Sequence, residues 1–255
     1  MIKFGEKLAL ILIGIITVGF YATFFLLSAK RSFIVVPVLV LAIFLYAIVN
    51  RSNIRPLFWR MYLYLQLGFL GLFLVVEWPA AQVLAVGLAL AAALVTTLWS
   101  RRVSAPIVFV REKPLRRAVT IFLALAVFSY IAAFHTLLIF FSSLAGPVII
   151  HFLLAMSVAI GTYLLWTLYY NSSIREFFIP LAVIFLLAVE ASIIASLGSA
   201  GYFIRAFGIT LLWYVAQLFI RFHFGNRDIV WSRQKFFLFG IGIVFLVFMF
   251  LIRFL

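Results

Sequence analysis

FFIPLAVIFLLAVEASIIASLGSAGYFIRAFGITLLWYVAQLFI, residues 177–220, decides the class of fold. Two apolar runs, 177–197 and 201–220, meet at the short turn LGSAG (197–201). Each run is about 20 residues long, enough for a helix rising about 1.5 Å per residue to cross a hydrocarbon layer about 30 Å thick. Lipid offers no hydrogen-bond partners to the backbone, so a crossing segment must pair its own N–H and C=O groups, as helices and closed barrels do. Barrel strands would alternate in hydrophobicity over about ten residues. These runs are continuously apolar, so the stretch reads as a helical hairpin in a membrane.

The pattern repeats in both directions. Apolar runs fall at about 8–28, 33–49, 62–79, 83–99, 118–142, 147–169, 177–197, 201–220 and 236–252. The fold class is therefore all-α, a polytopic transmembrane bundle of about nine spans, with eight as the alternative count. Residues 1–255 form a single integral membrane domain in this reading. The turns EWPAAQ (77–82) and SSLAGP (142–147) make two further tight hairpins. Lys3 and Lys7 before the first run resemble the start of a signal peptide. The run is too long for one and lacks a small-residue cleavage site, so it reads as a retained helix. The segment Ser52–Phe58 (SNIRPLF) resembles Ser172–Phe178 (SSIREFF) at an offset of 120. That suggests a parallel 4 + 4 duplication, with halves 1–100 and 112–222 and the run 236–252 as an added span.

Composition agrees. The chain is 68% hydrophobic and 10% charged, against about 45–50% and about 25% in soluble domains. The net charge of +14 does not imply nucleic acid, because the basic residues lie in short loops between apolar runs, as the positive-inside rule distributes them. With the N-terminus in the cytoplasm, sixteen lysines and arginines face inward and only Lys30, Arg31 and Arg253 outward. A bacterial-type plasma membrane is the expected location. The expected partners are the lipid bilayer and, at the basic cytoplasmic face, anionic lipids. The loop VSAPIVFV (103–110) is expected to be an interfacial or partly extended piece held at the headgroups by its flanking arginines, with a disordered basic loop as the alternative. No protein partner is legible.

Cysteine is absent, which removes disulfides, thiol catalysis and cysteine metal sites. There is no H-E-x-x-H, and Asp228 is the sole aspartate, so neither that zinc hydrolase nor a Mg²⁺-diphosphate enzyme is indicated. Thr17–Phe20 (TVGF) has the look of a potassium filter but sits inside a continuous span. Gly198–Gly201 (GSAG) superficially resembles the serine motif of rhomboid proteases, yet its serine lies in a turn, and His223, the sole later histidine, falls on the opposite side. No cofactor or metal is expected.

Ionisable groups within spans are costly and mark candidate sites. They are Glu190, Arg205, His135 and His151, with Glu77 as a rim residue. All fall within about seven residues of the outer helix ends, a band roughly 10 Å deep. Glu190 and Arg205 are expected to pair across their hairpin, as are His135 and His151 across theirs. Together they would line an outward-facing cavity able to bind an anion or relay protons. Gln66, Thr136, Ser192, Ser196, Thr210 and Gln217 are candidate extensions of it. The function implied is a small permease or transporter, or the membrane subunit of one. A non-catalytic scaffold or assembly partner is the alternative, and a lipid- or glycan-modifying enzyme ranks below both.

Overall fold

Proline, which lacks an N–H and favours the first turn of a helix, marks several helix starts. In a computed structural model, residues 4–26, 56–102, 113–140, 145–169, 174–198, 200–224, 239–240 and 242–243 are described. Among them the chain is all-helical: α1 (Phe4–Leu26), α2 (Pro56–Val75), α3 (Pro79–Arg102), α4 (Lys113–Phe140), α5 (Ala145–Thr167), α6 (Ile174–Leu197) and α7 (Tyr202–Phe224). Pro56 and Pro79 open α2 and α3, and Pro114 and Pro147 lie in the first turns of α4 and α5. Pro180 is the exception, inside α6, where it removes one backbone bond that surrounding helices commonly compensate in membranes.

Six of these helices carry stretches long and apolar enough to cross a membrane: Leu57–Val75, Pro79–Ser100, Pro114–Phe140, Gly146–Thr167, Arg175–Leu197 and Tyr202–Ile220. α1 adds a shorter apolar segment, Leu10–Ala22. The expected spans 33–49 and most of 236–252, and the loop 103–110, lie outside the described residues. Large apolar side chains also lie on the exterior of the described helices. Leu197 is 82% exposed, Ile179 76% and Phe140 74%, a surface suited to lipid rather than water. These features are those of a helical integral membrane protein.

The chain divides into two compact units, Met1–Leu123 and Ala124–Leu255, with the boundary inside α4. In the first unit, α3 packs against both α1 and α2. It presents the buried alanines Ala85, Ala89, Ala92 and Ala93, and small residues let helices approach closely where lipid supplies no hydrophobic drive. Polar bonds between helices stitch the unit. The Thr17 and Tyr62 hydroxyls are 3.1 Å apart, the Tyr21 hydroxyl donates to the Gln66 carbonyl at 3.1 Å, and Gln66 Nε2 donates to the Ala89 carbonyl at 3.1 Å. The turn between α2 and α3 is closed by Gln82 Nε2, which donates to the Val76 carbonyl at 2.9 Å.

In the second unit, α6 packs against α5 on one side and α7 on the other. Phe177 of α6 meets Trp166 and Tyr163 of α5, and Phe128 of α4 stacks on Phe203 of α7. The Trp213 indole N–H donates to the Thr162 hydroxyl at 2.7 Å, tying α7 to α5.

Since inward packing and not water exclusion holds such a bundle, core and exterior positions of like size respond differently. Leu154→Ala, at a fully buried site, is expected to cost about 2–5 kcal/mol. Ile179→Ala on the lipid-facing surface should cost far less. Thermal unfolding of both variants in mild detergent measures the contrast.

Candidate functional site

The second unit holds four of the expected site residues: His135 on α4, His151 on α5, Glu190 on α6 and Arg205 on α7. Two of them meet through a third residue. His151 Nδ1 lies 2.7 Å from Ser192 Oγ, and the same oxygen lies 3.4 Å from His135 Nε2. The bridge joins α4, α5 and α6. His135 and Ser192 are 0% exposed and His151 8%. Among the described residues, His135 Nδ1 has no hydrogen-bond partner.

A serine hydroxyl carries one proton and accepts through its lone pairs. In a chain with a single proton per contact, Ser192 donates to one imidazole and accepts from the other. The two histidine tautomers are thereby linked: whichever ring offers an N–H to Ser192, the other offers a lone pair. Reversing all bonds in the chain moves the available N–H from one outer ring nitrogen to the other, and one of those ends is the unpaired Nδ1 of His135. Chemically, the arrangement can hand a proton between groups or offer a buried imidazole to a ligand.

The expected Glu190–Arg205 pair is not formed. Arg205 Nε donates to the Ala200 carbonyl at 2.6 Å, and its Nη2 to the Gly198 carbonyl at 2.7 Å. A helix C-terminus leaves carbonyls unpaired and carries partial negative charge, so the guanidinium closes the α6–α7 turn instead of reaching a carboxylate. Glu190 is exposed. Two residues from Ser192 on one helix, it points about 200° away from it, so the two cannot share a cavity. Glu77 is exposed in the turn between α2 and α3, within the first unit.

The remaining polar candidates divide the same way. Thr136, Ser196 and Thr210 donate to carbonyls of their own helices, those of Ala132, Ile193 and Ala206. Gln66 belongs to the first unit's network, with its Oε1 unpaired, and Gln217 is buried with its Oε1 also unpaired. Ser192 is the residue whose weight the sequence understated. The signal was its helical position, on the side of α6 that also carries Phe185 and Phe177, which contact α5. Among the described residues no three His, Cys, Asp or Glu side chains group to hold a metal.

No protein-family model matches the sequence, and no curated protein or solved structure matches it.

Ser192→Ala should destabilise the protein by about 1–3 kcal/mol, because it strips two buried imidazoles of their shared partner. Ser196→Ala, which loses only a bond within its own helix, should be nearly neutral. Unfolding midpoints of the two variants, compared in the same detergent, check this.

Proposed function

We propose that the protein is a small permease or transporter, or the membrane subunit of one, with its polar site in the outer half of the bilayer. One observation carries the reading: two imidazoles buried across three helices, bridged by a serine hydroxyl, with one ring nitrogen left without a partner. A purely structural clasp satisfies its polar atoms, because an unpaired buried group costs free energy and returns nothing. An unpaired nitrogen suits a site completed by water or by a passing ligand. Narrow connections between α2 and α3 and between α6 and α7 also fit a protein whose work lies inside the membrane.

In this reading the N-terminus lies in the cytoplasm, and the membrane is a bacterial-type plasma membrane. Sixteen basic residues then face inward, toward anionic lipid headgroups. The spans number about nine, in two parallel halves of four with a ninth at the C-terminus. His135 and His151 with Ser192 form the substrate or coupling site, and Arg205 holds the adjoining turn.

The alternative reading, an assembly partner without transport, draws on a separate observation. Glu190 sits exposed on a helix face that is otherwise apolar, where a protein neighbour would serve it better than lipid.

The lack of native cysteine makes water access directly testable. Single substitutions His151→Cys, Ser192→Cys and, as a lipid-facing control, Ile179→Cys are placed in intact cells and exposed to a membrane-impermeant maleimide. The transport reading expects labelling at 151 and 192 and none at 179. Absence of labelling at the first two, in well-expressed protein, would mean a dry clasp and would remove the transport reading in favour of the assembly partner.

A further inference from the structure

We propose, resting on the transport reading, that the ion coupled to transport is the proton, which enters at His151 and passes through Ser192 to His135.

The donor set selects the ion. Two imidazoles and one hydroxyl make the bridge, and among the described residues no three His, Cys, Asp or Glu side chains group together. A hard cation such as sodium takes several oxygen ligands, whereas Ser192 Oγ is the oxygen that both imidazole contacts share. Imidazole takes up and releases a proton near neutral pH, and buried histidines in membranes serve proton relays. The groups that act electrostatically on His135 are His151 of α5 and Arg205 of α7. Glu190 of α6 leaves that helix on the side away from Ser192. The bridge also has unlike ends. His151 is 8% exposed in the second turn of α5, while His135 is 0% exposed and its Nδ1 is without a hydrogen-bond partner among the described residues.

The contacts run from His151 Nδ1 to Ser192 Oγ to His135 Nε2, so the one hydroxyl proton fixes both tautomers together. When Ser192 donates to His135, both rings carry their proton on Nδ1. When it donates to His151, both carry it on Nε2. A proton reaching His151 in the first state forms a new N–H bond at Nε2. The Nδ1 proton of His151 then passes to Ser192, and the Ser192 proton passes to His135 Nε2. The positive charge now sits on His135, which releases its Nδ1 proton and leaves the second state. In that state His151 has no free lone pair, so a second proton cannot follow until both rings return to the first tautomer. The stroke is therefore one proton per cycle. The Ser192–His135 contact, at 3.4 Å, is the longer of the two, and a small movement of α4 against α6 makes or breaks the chain there.

The chain has three histidines, so His223→Asn leaves the two of the bridge. Full-length protein carrying this change and isotope-labelled histidine is placed in liposomes, and its ring nitrogens are read by solid-state NMR. At about pH 8 both rings should show the same tautomer, and acidification to about pH 4 should put one proton on the pair while the other ring stays neutral. Ser192→Thr, which keeps the hydroxyl, should keep the match, and Ser192→Ala should lose it. Rings in opposite tautomers, both rings neutral throughout, or a match that survives Ser192→Ala would each overturn the proposal. So would a shift of either ring when potassium chloride is replaced by sodium chloride at fixed pH, which assigns the site to sodium. Maleimide access fails separately. Labelling at 151 and 192 beside mismatched tautomers keeps the transport reading and removes the proton. Matched tautomers without labelling remove transport, and coupling with it.

Discussion

Hydrocarbon has no hydrogen-bonding capacity, and that absence governs where each polar atom in this chain can go. In water an unpaired hydroxyl or amide simply turns to solvent. Here it must find a partner in the protein. The commonest solution is local: Thr96, Thr97, Ser129, Thr136 and others donate to a carbonyl three or four residues back on their own helix. Such residues are polar in composition but inert in packing. Set against them, among the described residues, are side chains that reach across helices and help define the interior architecture. In the first unit they are Thr17, Tyr62, Tyr21 and Gln66. In the second they are His135, His151, Ser192 and the Trp213–Thr162 pair.

The membrane class of the fold was legible because it depends on run length and apolarity, which a sequence displays directly. Helix ends were less so, for a consistent reason. An apolar run marks only the part of a helix inside the hydrocarbon. α2 begins at Pro56, before the expected 62, and carries the exposed Arg60. α4 begins at Lys113, before the expected 118, and carries Arg116 and Arg117. In both, the helix continues past the apolar run, with basic residues suited to the headgroup region. The opposite error occurs between α2 and α3. The expected run ended at 79, but Pro79 opens α3 and Glu77–Trp78 form the turn, so α2 stops at Val75.

The candidate site was half legible. Counting residues from helix ends gives depth, and it set His135 and His151 at similar depth, where each lies within reach of Ser192. Depth says nothing about the direction in which a side chain leaves the helix. Glu190 and Arg205 differ in expected depth by three residues, about 4.5 Å, on neighbouring helices, yet Glu190 lies on the outer face of α6 and Arg205 turns back to the helix end before it. Azimuth was present in the sequence for α6, because its 3.6-residue period sets Ser192 and Glu190 on opposing sides. What fixes the choice of side is the packing of neighbouring helices, which no single span reveals.

α6 is consequently the helix on which both questions about this protein converge. Its inner side supplies the hydroxyl that links two buried imidazoles. Its outer side supplies the exposed carboxyl group of Glu190, which has no ion pair among the described residues. Both sit in the segment beyond Pro180, the one position in the helix where the backbone ladder is interrupted. Past that point the backbone bonds run regularly to Leu197, so Ser192 and Glu190 are held in fixed relation by a continuous turn of helix. A neighbour that turned the outer face would have to turn the inner one with it. The two faces are therefore mechanically one element, even though their chemistry is separate.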